Sequence, residues 1–276
     1  MKIAAIVMTH GKPDVTFDTV DSVRTWLTDD IMLVVDKKGW HHFNNRDPQG
    51  CELLEGYTHG ISRSPYRNYT LGLMNTYRRW PDHDWYFYVE YDVLVASHWI
   101  KKDLEAAQRK GVSFLGCDYR IQDMTFPLLA DILGAGSFQK GHYFLGCCHF
   151  IANGFVRQLE ERGFFERFLE RTAEFKVGEF PGYGRHAFEE ELMPTMCVHL
   201  GGKVQELSCW KGGDKGIEKD KWRGAGTRYP VRYTPEIVAR EVYPDASIIH
   251  PLKSFDHPIR VHYRKNRERI KRAGRP

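Results

Sequence analysis

The sequence predicts an α/β fold with a mostly parallel central sheet and helices on both faces. Three observations predict it. Residues 3–10 (IAAIVMTH) and 31–36 (IMLVVD) are short, continuous apolar runs that stop at polar residues, the pattern of strands buried on both faces. Between them lies a stretch of helical spacing that puts Thr16, Val20, Val23 and Leu27 on one side. Residues 84–95 (DWYFYVEYDVLV) form a third run, in which Trp85, Phe87 and Val89 alternate with Tyr86 and Tyr88. Strands alternating with helices pack as a parallel sheet with both faces covered.

The elements follow in order. Gly11 turns the chain after the first strand, and Asp14 is placed to cap the first helix. Residues 37–63 hold many Gly, His and Asn and little periodicity, and read as a long loop. Ser64 and Pro65 then open a helix as its cap and first residue, with Tyr69, Leu73 and Tyr77 on its apolar face and Leu71 and Met74 alongside. After the aromatic strand comes a helix over 98–110, where Ala106 and Ala107 permit close packing. The segment VSFLGCDYR from Val112 reads as a strand, and YFLGCCHFIANGFVRQLEERG from Tyr143 as strand, turn and helix. Residues 175–186 are a Gly/Pro-rich loop, 187–200 a helix, and GGKVQEL a short last strand. Residues 210–228, rich in Gly and Lys, read as a surface loop or lid. There is no internal repeat.

A chain of 276 residues suits one large domain or two small ones. No apolar run approaches the ~18 residues of a transmembrane segment. The N-terminal run is too short for a signal peptide, so the expected location is the cytoplasm. The six cysteines show neither CxxC nor zinc-ligand spacing, as expected of reduced, buried thiols. Net charge is +4, but the tail from Arg260 onward carries eight Lys/Arg and one acid, a net +7 that leaves −3 on the first 259 residues. Such an arm suits an anionic partner: nucleic acid, an acidic lipid surface or an acidic glycan. A solvated helix end or a disordered tail has the same composition.

Glu90 and Asp92 close the aromatic strand. Residues two apart on a strand point to one side, so both carboxylates leave the core together. Two hard oxygen ligands there can hold a divalent cation, and through it a phosphate. Acids at a strand end are also common without any ligand. Thr9, His10 and Asp36 end two other strands, and in an open α/β sheet ligands bind beyond such ends. Together these groups outline a nucleotide-sized cleft. Glu189, Glu190 and Glu191 open the last helix, where acids also favour the helix dipole.

The order of these features resembles a GT-A-type glycosyltransferase of the family-2-like kind. The matching pieces are the first strand with Thr9-His10, the second ending in Asp36, then SPYRNYTLG, VEYD, FLGCCHFIANG and FEEELMPTMCVHLGGKV, over roughly residues 2–207, with His250-Pro251 fitting as well. The resemblance implies a Rossmann-like GT-A fold in which 1–207 form the nucleotide-sugar-binding and catalytic core. Residues 208–259 would be an acceptor or lid region of the same domain that carries a metal-binding His, and 260–276 a basic tail. Thr9, His10 and Asp36 would contact base and ribose, and Arg67 and Asn68 the nucleotide and phosphates. The family's D-x-D maps onto Glu90-Tyr91-Asp92, with Glu in the leading place and Asp92 the more direct ligand of Mn2+ or Mg2+. His250 would be a third, imidazole ligand, which favours manganese. The general base would be Glu190, with Glu189 second, since the register is ambiguous by one residue.

The implied activity is metal-dependent, inverting transfer of a sugar from a nucleotide sugar, a UDP-sugar first, to a hydroxyl acceptor. That acceptor is a glycan, a lipid-linked glycan or a hydroxylated DNA base. Trp210 and Trp222 lie where acceptor choice would be made. The Gln-x-x-Arg-Trp signature of processive synthases is absent. A nucleotidyltransferase would carry a Gly-rich, Arg-bearing loop after the first strand, whereas MTHGKPD has one Gly and no Arg. A non-catalytic, basic-armed nucleic-acid-binding protein is the remaining class.

Overall fold

In a computed structural model, residues 1–58, 65–123, 140–173, 188–207 and 248–273 are described. The apolar runs form β1 (Ile3–Thr9) and β2 (Ile31–Val35), buried at every position. Further strands are β3 (Glu52–Glu55), β4 (Trp85–Glu90), β5 (Leu94–Val95), β6 (Phe114–Gln122), β7 (Gly141–Ala152), β8 (Val204–Glu206) and β9 (Ile248–Ile249). Seven of them make one sheet in the order β3-β2-β1-β4-β7-β6-β8. Only β7 among these runs against its neighbours, pairing antiparallel with β4 and β6; the other pairings are parallel. β5 and β9 pair separately. The predicted α/β fold, Rossmann-like and mostly parallel with helices on both faces, is the fold observed.

The helices are α1 (Pro13–Trp26), α2 (Pro65–Arg79), α3 (Trp99–Arg109), α4 (Asn153–Glu161), α5 (Phe164–Ala173), α6 (Phe188–His199) and α7 (Pro258–Ala273). Strand alternation sorts side chains between two cores. Ala5, Val7, Trp85, Phe87 and Val89 face one core with α1, α3 and α7. Ala4, Ile6, Met8, Tyr86 and Tyr88 face the other with α2, α4, α5 and α6. Among the described residues no helix is long and apolar enough to cross a membrane.

Several expectations need correction. The loop expected over 37–63 contains a 3-10 turn, Trp40–His42, and strand β3 on the sheet edge. Asp14 does not cap α1: Lys12 holds the N-cap place in left-handed backbone (φ 55°), Pro13 is the first helical residue, and the Thr16 hydroxyl donates to the Lys12 carbonyl at 3.0 Å. The helix expected to follow β7 as far as Gly163 is α4, and a further helix that was not expected, α5, starts directly after Gly163 (φ 60°). The Ser64 cap and the loops at 175–186 and 210–228 lie outside the described residues.

Candidate active site

The carboxyl ends of β1, β2 and β4 share one edge, with Thr9 beside Val35 and Met8 beside Glu90. At that edge β4 turns and continues into β5, which pairs with β9 so that Leu94 lies opposite Ile249. The Leu252 N–H also donates to the Asp92 carbonyl at 2.7 Å. These contacts bring His250 to the two acids. Its Nε2 is 3.6 Å from Glu90 Oε2 and 3.4 Å from Asp92 Oδ1. The three side chains offer ligand atoms that all lie within 4.8 Å of one another.

The burial of this group decides its electrostatics. Asp92 is 4% exposed, His250 14% and Glu90 30%. Burial alone would raise the Asp92 carboxyl, but His250, Lys253 and Arg260 outweigh it and hold it below the usual value. Burial would lower His250, and the neighbouring Cys147, Asp92 and Glu90 instead hold it well above its usual value. A protonated His250 therefore balances the acids when no cation does. Asp92 Oδ1 and His250 Nδ1 are buried without a hydrogen-bond partner among the described residues, which is costly unless a ligand completes them. Two carboxylates and an imidazole around an unsatisfied oxygen fit Mn2+ or Mg2+. Lys253, whose Nζ is 4.0 Å from Asp92 Oδ2, adds a cation the sequence did not single out.

Glu190 reaches the site from α6. Its Oε1 accepts the Gly146 N–H at 2.7 Å. This contact depends on an irregularity in β7, whose register against β6 jumps from Gly116–His149 to Cys117–Leu145 while its pairing with β4 stays regular through Cys148. It also needs a glycine, because a Cβ on Gly146 would stand 2.8 Å from Glu190 Cγ and Oε1. Burial pushes Glu190 up to about 7; the Gly146 N–H opposes this, while Glu90, Cys147 and Glu191 add to it. Burial also raises Glu191 to about 7, and its Oε1 is without a partner among the described residues. The Glu189 side chain lies outside the described residues.

The other predicted site residues divide into two groups. Asp36 is 1% exposed; its Oδ1 accepts the Lys38 N–H at 2.7 Å and its Oδ2 is buried without a partner among the described residues. His10 is exposed, edge-on to Tyr91 with ring centroids 6.1 Å apart. Thr9 is wholly buried, and its hydroxyl serves the turn into α1, donating to Gly11 O at 2.6 Å and meeting Thr16 Oγ1 at 2.9 Å. Arg67 and Asn68 belong to a separate clamp. Asn68 accepts the Tyr57 N–H at 2.6 Å and donates to the Tyr57 carbonyl at 3.2 Å. Arg67 stacks on the Tyr57 ring at 3.6 Å and donates to Leu169 O at 3.2 Å. Both hold the segment after β3 against α2 and α5.

A second group with metal-ligand atoms is Cys117, Cys147 and Cys148, wholly or nearly wholly buried, with Cys117 and Cys148 sulfurs 3.7 Å apart. Burial and the neighbouring sulfurs raise Cys117 well above the usual thiol value, as expected of inert core thiols. Sequence reasoning missed Gly146 and Lys253. A glycine inside a strand does signal a bulge or close approach, so Gly146 was findable.

No family model matches the chain, and no curated protein matches it either. Solved structures similar to it include a glycosyltransferase involved in the glycosylation of the major capsid of PBCV-1, 9% identical, covering 96% of this chain and 99% of that one with a TM-score of 0.42. A second is the mannosyltransferase PcManGT from Pyrobaculum calidifontis in complex with GDP-Man and Mn2+, 11% identical, covering 74% of this chain and 54% of that one, TM-score 0.40. A third is mannose-1-phosphate geranyltransferase from Thermus thermophilus, 14% identical, covering 75% of this chain and 74% of that one, TM-score 0.40. All three are named as transferases.

Proposed function

We propose that this chain is a metal-dependent glycosyltransferase that moves a sugar from a nucleotide sugar to a hydroxyl acceptor with inversion. The observation that carries this reading is the convergence of Glu90, Asp92 and His250 within 4.8 Å at the edge where β1 and β2 also end. When bound, Mn2+ or Mg2+ supplies charge stabilisation for the departing nucleoside diphosphate. Asp92 and Glu90 would hold it through oxygen and His250 through Nε2 once that nitrogen has lost its proton. Asp36, with its unpaired Oδ2, accepts a hydroxyl or N–H of the nucleoside, and His10 stands beside it at the rim. Thr9 shapes that rim through the turn it holds. Arg67 and Asn68 act on the donor through the Tyr57 clamp.

Glu190 takes the proton of the acceptor hydroxyl. A carboxyl at about 7 is half ionised near neutral pH and more basic than an ordinary carboxylate, as this role requires. Glu189, the other candidate, shares its helix start. Residues 208–259 would choose the acceptor, a glycan, lipid-linked glycan or hydroxylated DNA base, with Trp210 and Trp222 stacking on it. Among the described residues of the C-terminal segment, Lys265, Arg269 and Arg272 are exposed and would be open to an anionic partner; a DNA acceptor would make binding fall steeply with salt.

The test is a release screen with UDP-, GDP- and TDP-sugars, with and without Mn2+. Nucleoside diphosphate released only with Mn2+, and not by Asp92→Ala, supports the proposal. Release of pyrophosphate from a nucleoside triphosphate would transfer the site to nucleotidyl chemistry. No metal-dependent turnover or nucleotide binding sinks the enzyme reading.

A further inference from the structure

Arg260 opens the basic run at the end of the chain, yet it is wholly buried. Its Nε donates to the Leu252 carbonyl at 2.9 Å and its Nη1 to Asp18 Oδ2 at 2.6 Å. Its Nη2 donates to Thr19 Oγ1 at 3.0 Å and lies 3.3 Å from both the Tyr91 and the Val93 carbonyls. Thr19 Oγ1 is itself 2.5 and 2.6 Å from those two carbonyls, with one proton to give. Tyr91 and Val93 flank Asp92 in the sequence, and Leu252 stands two residues after His250. One guanidinium thus grips both neighbours of one candidate ligand and the segment that carries another. Asp18, at 4% exposure, balances its charge.

This arrangement uses what distinguishes arginine. Its fork of donors is planar, permanently charged and able to meet several carbonyls at once. A lysine keeps the charge but presents one nitrogen, which cannot span Leu252, Asp18 and the Tyr91–Val93 turn together. We propose that Arg260, with Asp18 and Thr19, is a positioning unit that fixes the spacing of Glu90 and Asp92 relative to His250 and thereby sets the affinity for the divalent cation. The inference rests on the metal-site reading above and adds the residues that hold that site in shape.

The test is Mn2+ titration of the full chain by calorimetry, alongside thermal unfolding with and without Mn2+. Wild type and Asp92→Ala are measured first. If wild type binds no Mn2+, both the metal-site reading and this inference fall. If wild type binds and Asp92→Ala does not, the site stands and the variants judge the inference alone. Arg260→Lys and Thr19→Val are expected to weaken Mn2+ about 10- to 100-fold, the usual cost of losing groups that orient metal ligands. Thr19→Ser, which restores the hydroxyl, is expected to bind as wild type does, and so is Arg267→Ala, a change to the same helix that touches Asp21 instead. A purely structural role would lower the unfolding temperature of Arg260→Lys and Thr19→Val equally with and without Mn2+, at unchanged Mn2+ affinity, and that result overturns the proposal. Should Arg260→Lys not fold, Thr19→Val and Thr19→Ser decide alone.

Discussion

Glu190 and His250 both titrate away from their usual ranges, and the signs differ in consequence. His250 is held above its usual value by the acids beside it, so a cation must displace its proton. Mn2+ affinity should therefore rise with pH, by about tenfold per unit while His250 remains protonated, and level off above its value. A pH series of Mn2+ titrations checks this. Glu190 is raised to about 7 from 4.5. The stability that this raised value represents is fully present below about 4.5 and is lost as pH rises through about 7. Glu190→Gln, neutral throughout, should therefore unfold at a higher temperature than wild type at pH 8 and at a similar one near pH 4.5. The same variant should lose about 100-fold or more in turnover. Greater stability together with lost turnover would mark Glu190 as a functional group, whereas unchanged turnover would remove it from the mechanism.

At the scale of elements, the irregular β7 matters most. It places Gly146 so that its N–H and its missing side chain receive Glu190. Gly146→Ala should displace the carboxylate and cut kcat by about 10- to 100-fold, with nucleotide and Mn2+ affinity little changed. An equal loss in donor affinity would mean that the bulge serves the donor instead. Element length also explains what the sequence revealed. β1, β2 and β4 were legible because each is a run long enough to show burial on both faces. β3 has only Leu53 and Leu54 between exposed acids, and β5 and β9 have two residues each, too few for any period. α7 was hidden by its charge: six further Lys/Arg in the helix mask the buried stripe of Ile259, Arg260 and Tyr263. Arg260, Arg264 and Arg267 pair with Asp18 and Asp21 of α1, so part of that charge is spent within the molecule.

For the whole molecule, two cores back one sheet, and Glu90, Asp92 and His250 come together at one edge of it. Strand spacing singled out the pair Glu90 and Asp92, but β4 ends at Glu90 and Asp92 lies in the turn before β5, where its carbonyl accepts the Leu252 N–H. The arrival of His250 was not legible, because no residue pattern links it to Asp92; only the family resemblance suggested it. The proposed function, in which cation and nucleotide would meet at that edge, predicts synergy. Mn2+ and a nucleoside diphosphate together should raise the unfolding temperature by more than the two separate shifts combined, since each completes the other's binding surface. Simple additivity in a thermal-shift matrix would argue for two unrelated sites.

The two-residue ladder of β5 and β9 has one more consequence. It joins parts of the chain that are far apart in sequence, through very few main-chain bonds. Transient local opening there needs far less free energy than unfolding the sheet. In deuterated water the amides around Leu94, Ile249 and Leu252 should exchange well before those of β1 and β4, and Mn2+ should slow them selectively. Unzipping of that ladder would then be the route by which the cation leaves, and it would draw Leu94, Ile249 and Leu252 out of the core they share with β1 and β4.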